Sequence, residues 1–392
     1  MDISAAIGLL MTPAGRRNPY PAYAALHAYG PAIGLSDQVI VHSYEHANAV
    51  LRDPSMRVVD RDLVTRRFGQ WFADRPAQRL LNDSILTTNP PDHRAMRQLV
   101  SGAFTPRRVA ALHAAIENQA TRLLREMHGQ VDLMERFAAP LPVAVICELL
   151  GVPESDRAWF RPVAVDFAEA VEYTLTEESA ARADRAAGEI RDYFIGLVAD
   201  RRRVPRDDLT TELAATFPQG AKLLGNLALL LLAGHETTMN LIGNGTAILF
   251  AHPDRIAALR TDPGVAARYV EEFLRLDSPV QMTTRIPAGD AEIAGLPVHR
   301  SSEVTVLLGA ANHDPYRFAS PGTFDPDRED NVPLSFGAGA HFCLGAALAR
   351  LAGRIAFPLL LQRFPDIAPA GTPTRRDRLV LRGYESLPVR LE

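Results

Sequence analysis

Cys343 stands in the run Phe336-Gly337-Ala338-Gly339-Ala340-His341-Phe342-Cys343-Leu344-Gly345, and a helix pattern follows it from Ala346 through Arg350 to Phe357. Glycines at 337 and 339 let the backbone take positive φ and approach a flat ligand closely. A sulfur at the start of a helix meets free backbone N–H groups and the positive dipole end, a setting that favours thiolate, the form that binds iron. A cysteine in apolar surroundings is otherwise a small buried hydrophobe. That reading suits Cys147, inside the apolar helix pattern at 141–150. The Gly-Gly-His-Cys-Gly frame reverses it for Cys343.

With every fixed position present, F-G-x-G-x-H-x-C-x-G resembles the haem-binding loop of the cytochromes P-450. The resemblance implies haem b with Cys343 as its axial ligand, and Phe336, Gly337, His341 and Gly345 around it. Other parts follow in the family's order. Leu231-Leu232-Ala233-Gly234-His235-Glu236-Thr237-Thr238 resembles the oxygen-activating segment of the long central helix. Gly234 and Thr237, three apart, share a face, and a glycine there leaves room for a diatomic ligand, with Ala233 beside it. Glu236-Thr237, a carboxylate followed by a hydroxyl, supplies a proton relay. Read alone, the segment has a second reading, a helix with a polar cap on its exposed side.

Glu272-Phe273-Leu274-Arg275 resembles the E-x-x-R pair, with Arg328 of Phe324-Asp325-Pro326-Asp327-Arg328 as third member of a structural triad. Pairs at this spacing are common on helix surfaces and are usually worth little. His93 and Arg97 match H-x-x-x-R, and Arg285 follows Met282-Thr283-Thr284. With His341, these imply partners for the two haem propionates. Around the substrate the resemblance places 58–89, 160–179 and 279–284, including Val280, Gln281, Met282 and Thr283, with Tyr384 at the far wall. Trp71, Phe72 and Met282 beside Gln281 and Thr283 suggest a medium-sized, mainly apolar substrate.

The implied activity is monooxygenation: one atom of O2 is inserted into a small organic substrate, as in tailoring a bacterial secondary metabolite. Oxidative coupling or ring closure would use the same haem. A peroxide-driven enzyme is disfavoured by Glu236-Thr237, and a non-catalytic haem protein by the intact Gly234-Glu236-Thr237 set. The chain has no GxGxxG between strand and helix, no flavin-binding region and no iron–sulfur cysteine set, so electrons must come from separate partners, which the resemblance implies are a ferredoxin and its reductase. Arg94, Arg107, Arg108, Arg350 and Arg354 flank the expected sulfur side and could meet an acidic partner, or could be a solvated surface. The resemblance runs from Asn18-Pro19-Tyr20 to Leu387-Pro388-Val389. Between Leu209 and Leu223 the chain is brief where relatives have a further short helix and loop.

The elements that must position these residues are mostly helices. The 392 residues, 47% hydrophobic and 22% charged, allow a large core, with no linker or repeat to divide 1–392 into modules. Apolar residues recur three and four apart over 107–127, 141–150, 180–203, 222–252, 265–276 and 343–364. Strand-like alternation is confined to 32–35, 39–42, 292–298 with a turn at Ala294-Gly295, and 304–308. The expectation is a mainly α protein with a small β-rich lobe from about 20–60 and 280–310. With the resemblance, this becomes the cytochrome P-450 fold, a triangular prism of helices around haem. Stretches 58–89 and 312–336 read as irregular.

A formal net charge of -4 gives no electrostatic case for nucleic acid or an anionic membrane. Lys222 is the only lysine, a bias expected of a GC-rich genome. Two cysteines make no disulfide framework and suit a reducing cytoplasm. The N-terminus lacks a basic secretory start, and the longest apolar run, 227–234, is too short to span a bilayer. A cytoplasmic, unanchored monomer is expected.

Overall fold

A helix that is apolar on every side must be surrounded by other elements, and 222–252 is such a segment. In the computed structural model, which describes residues 1–173, 175–217, 220–300 and 302–391 (Ala103 by its backbone alone), this segment is the axis of the molecule. The helices that bear on the site are α1 (Asp92–Ser101), α2 (Pro140–Leu150), α3 (Arg157–Phe167), α4 (Glu177–Arg203), α5 (Gly220–Ala251), α6 (Ala266–Leu276) and α7 (Ala346–Arg363). The 32 residues of α5 run about 48 Å at 1.5 Å per residue. Helices α2, α3, α4, α6 and α7 all pack against it.

Two large apolar clusters divide its length. Ile146, Phe160, Phe167, Phe194, Leu227 and Leu231 form one with α2, α3 and α4. Ile242, Phe273, Phe357 and Leu361 form the other with α6 and α7. The 27-residue α4 carries its own end signals: a Thr176–Ser179 capping box, Glu177 and Glu178 in the first turn, and Arg201, Arg202 and Arg203 in the last. Helix α2 stops at Gly151, which takes the left-handed conformation (φ 73°).

The β-rich lobe is a five-stranded sheet of β1 (Ala32–Gly34), β2 (Gln38–Val41), β3 (Met56–Val58), β4 (Thr283–Pro287) and β5 (Glu303–Val306), in the order β1-β2-β5-β4-β3. β2 and β5 are parallel and the other pairs antiparallel. Val39, Val41, Val304 and Val306, two apart on each strand, make its core face. The turn read at Ala294-Gly295 joins a separate hairpin.

Four expectations need correction. The 107–127 pattern is two helices, Pro106–Ala111 and His113–Arg125. Stretch 58–89 is not irregular: it holds three short helices, Arg61–Phe68, Gln70–Ala73 and Pro76–Asn82, which its charge density concealed. The span between Leu209 and Leu223 does contain a helix, Leu209–Thr216; Pro218 and Gln219 after it lie outside the described residues. Strand 304–308 ends at Val306, and Leu308 opens a helical turn.

Candidate functional site

The loop before α7 is folded by its own backbone. The Cys343 N–H donates to the Phe336 carbonyl at 3.0 Å, and Gly337 and Gly339 have φ of 68° and 70°. Gly339 also lies against the helix Tyr44–Arg52: a Cβ there would stand 2.2 Å from the Leu51 carbonyl oxygen. The Cys343 side chain is exposed to water within a setting of protein groups that withholds full solvation. Burial therefore pushes its thiol up; the Gly345 N–H, Arg97, Arg350 and the Ala346 N–H pull it down without prevailing. The start of α7 thus does not by itself make the thiolate that the sequence suggested; a cation on the sulfur must complete the ionisation. Cys147, by contrast, is fully buried, and burial drives its thiol up to about 12.

Beside the sulfur, four groups from three segments converge. His93 of α1 stacks on His341 with ring centroids 4.0 Å apart. Arg97, one turn further along α1, donates to the Phe342 carbonyl at 2.7 Å. Arg285 of β4 is buried and donates only to Thr283 Oγ1 and the Thr284 carbonyl. Burial lowers His341 to about 3, with His93, Arg285 and Arg97 adding to the effect. It also lowers Arg285 to about 10. None of the four has a carboxylate partner among the described residues, and His93 Nε2 is buried with no partner there. Buried cations and orphaned donors are costly unless an anion completes them. A group bearing two carboxylates, such as haem, fits this donor set.

The acid side is built on α5. Ala233 is exposed and Gly234 and Thr237 half-exposed, while His235 and Glu236 are buried. The Thr237 hydroxyl donates to the Ala233 carbonyl at 2.8 Å. Gly234 also packs closely on α2: a Cβ there would sit 2.9 Å from the Ile146 side chain.

Two residues absent from the sequence reading hold Glu236. Arg376 donates to its Oε1 at 2.5 Å and Arg378 to the same oxygen at 2.9 Å. Burial pushes the Glu236 carboxyl up, but Arg376 and Arg378 outweigh it and hold the group below its ordinary value. Glu236 Oε2 is buried without a partner. His235, buried and unpartnered at both ring nitrogens, is lowered to about 4 by burial and is neutral at pH 7. Arg376 lines a cleft of about 510 Å³ with Arg161, Asp166, Met239 and Glu385.

α3 and the turn after it, the stretch expected to cover the pocket and called the roof below, are fastened to other elements at two points. Glu172 accepts from three successive N–H groups, of Leu379, Val380 and Leu381, at 2.8–2.9 Å. Tyr173 OH lies 2.7 Å from Thr284 Oγ1. Thr174, within the stretch assigned to the pocket, lies outside the described residues.

Of the expected pocket residues, Val280, Met282 and Thr283 are half-buried beside the first core cluster or next to Arg285. Gln281 and Tyr384 are corrections. Gln281 points the other way, accepting from Tyr23 OH at 2.8 Å and donating to the Ser278 carbonyl. Successive residues of an extended chain face opposite sides, so 280 and 282 exclude 281. Tyr384 belongs to the second core cluster, with its ring under Arg375 and its hydroxyl accepting from it.

The triad forms as expected: Arg275 Nε and Nη2 meet Glu272 at 2.8 and 2.7 Å with both side chains fully buried. Arg328 approaches Glu272 at 3.7 Å. Asn331, not anticipated, makes the closer contact at 2.9 Å.

Comparison with known proteins agrees with this geometry. The family description "Cytochrome P450" matches residues 265–382. The 6-deoxyerythronolide B hydroxylase of Saccharopolyspora erythraea is 41% identical over 95% of this chain and 96% of its own. Cytochrome P450 monooxygenase PikC of Streptomyces venezuelae is 38% identical over 95% and 91%. The crystal structure of P450BioI with a fatty-acyl-loaded acyl carrier protein superposes with a TM-score of 0.91 at 34% identity, covering 96% of this chain and 99% of that one.

Proposed function

The chain belongs to the cytochrome P450 family and is a haem b monooxygenase, and on that premise we propose how its own residues serve the reaction. Haem held by a thiolate supplies the oxygen chemistry. Cys343 is the residue placed to hold it. His93, Arg97, Arg285 and His341 bind the propionates, a role supported by their convergence without any carboxylate. Thr237, on the open face of α5, would pass protons into the pocket, and Glu236, one residue earlier and shielded from water, would resupply them.

The substrate is a mainly apolar natural product, in line with the 6-deoxyerythronolide B hydroxylase and the polyketide biosynthesis cytochrome P450 PksS among the relatives. Electrons come from a ferredoxin. On the sulfur side Arg94, Arg107 and Arg354 are exposed and, among the described residues, without an acidic partner, around the exposed Phe342, and fit an acidic protein. Arg108 and Arg350 of the expected set are instead paired, with Glu212 and Glu271. Among the described residues, no helix is long and apolar enough to cross a membrane.

The convergence of unpaired basic groups beside Cys343 carries this reading. Its first test is the absorption spectrum of the reduced, CO-bound protein against Cys343→Ser. A red-shifted Soret band in the parent alone is expected; a His-type band in the parent would end the assignment. Screening for a haem spin shift should then favour polyketide lactones over simple fatty acids, and the reverse order would overturn the substrate class.

A further inference from the structure

Glu271 and Glu272 are neighbours on α6 and face different ways. Glu272 turns inward to Arg275. Glu271 reaches α7 and meets Arg350 with both carboxylate oxygens, at 2.5 Å from Nε and 3.0 Å from Nη2. Arg350 stands in the second turn of α7, and helical side chains lean toward the N-terminus. Its guanidinium therefore lies back over the sulfur loop, 4.4 Å from the centre of the Phe336 ring. Phe336 in turn supplies the carbonyl that takes the Cys343 N–H. Arg350 is also one of the two side-chain cations whose charge is felt at the sulfur. The other, Arg97, is held by the Phe342 carbonyl and is assigned to a propionate.

Isolated surface ion pairs add little to stability. This one is a two-point fork, with side chains only 25% and 21% exposed, and its cation is stacked on a ring. The guanidinium is thereby fixed with the positive end of the pair toward the loop and the negative end on α6. We propose that Arg350 and Glu271 are positioning residues that set the field at Cys343, and through it how readily the haem takes up an electron. This rests on the reading of Cys343 as the haem ligand. Uptake of one electron from the ferredoxin adds one negative charge to the haem and its sulfur. A fixed cation beside the loop favours that charge, and Glu271 offsets part of the effect. Arg350 therefore raises the potential and Glu271 lowers it, and their half-buried setting limits screening by salt.

A redox titration of the haem-loaded, substrate-free protein reads this without turnover. Glu271→Gln leaves the cation unopposed and should favour the reduced form about tenfold, an upward shift of about 59 mV for a one-electron couple. Arg350→Gln leaves the carboxylate unopposed and should move the equilibrium by a similar factor the other way. The double variant, with neither charge, should fall between the two. Arg350→Lys keeps the charge but gives up the fork and the flat stack, and should stay closer to the parent than Arg350→Gln does. The CO-bound spectrum of each variant checks that the sulfur still holds the haem.

A pair that merely braces the loop predicts something else. Both single changes to Gln break the same contact, so they would shift the potential in one direction or not at all, and either result overturns the proposal. A potential in Arg350→Lys as low as in Arg350→Gln would do the same, by tracing the effect to packing. Should Arg350→Gln fail to retain haem, Glu271→Gln decides alone, and a potential that does not rise overturns the proposal. Failure of the underlying reading looks different, because the parent itself would then lack the red-shifted CO band.

Discussion

Cys343 takes its setting chiefly from the ten residues around it, whereas Glu236 takes its own from arginines 140 and 142 positions further along the chain. The sulfur loop is shaped by two glycines and a backbone hydrogen bond, and the stretch leading into it is held at residues 312–331 by the fully buried Glu272–Arg275 pair. The acid of α5 is held by side chains that keep other partners or face a cleft: Arg378 retains Glu169, and Arg376 borders open space. One side is set by its covalent neighbours, the other by side chains from a distant stretch of chain. The difference suits the roles proposed for them, since a cofactor ligand must stay still and a proton carrier must exchange.

The contrast makes substitutions diverge. Glu272→Gln strands Arg275 inside the protein, and breaking a fully buried pair costs about 3–5 kcal/mol. A large fall in Tm with loss of haem is expected, and an unchanged Tm would mean the brace is dispensable. Glu236→Gln should do the opposite. Its arginines have other outlets, so the protein keeps its fold and CO spectrum, while product formation falls about 100-fold. Loss of haem in this variant would erase the distinction between the two sides.

Arg376→Gln is a finer probe. Removing the nearest cation lets Glu236 hold its proton to higher pH. A carboxyl held low in the folded state stabilises above the ordinary glutamate range, and that contribution disappears as pH falls through its folded value. The parent's Tm advantage over Arg376→Gln should be full at pH 7 and close below about pH 4; a gap independent of pH would show that the pairing with Glu236 is not its source. Tyr173→Phe, which removes only the bond to Thr284, should cost the closed roof about 1 kcal/mol, read as a few-fold weaker substrate binding.

What the sequence disclosed follows the same division. The Cys343 loop, the Glu272–Arg275 spacing and the pair His93 and Arg97 are local patterns, and each is found where its spacing puts it. The long α5 was legible because apolar residues crowd all its faces. Arg376 and Arg378 were not, because a run such as Arg375-Arg376-Asp377-Arg378 reads as solvated charge. The available signal was alternation: residues 376 and 378 share one side of an extended chain, in a stretch with several arginines and a single acid. Overlooking the same alternation misplaced Gln281. Tyr384 was assigned from resemblance, and nothing in its immediate neighbours announced that its ring would sit under Arg375.

The clasp of Glu172 on three consecutive amides has a practical side for protein engineering. The roof and residues 379–381 are more than 200 positions apart, yet they constitute a single exchangeable module. Chimaeras that import a relative's 165–173 to alter selectivity should import its 376–381 as well. Libraries that shuffle the two stretches independently should be depleted of folded members wherever the carboxylate at 172 is lost.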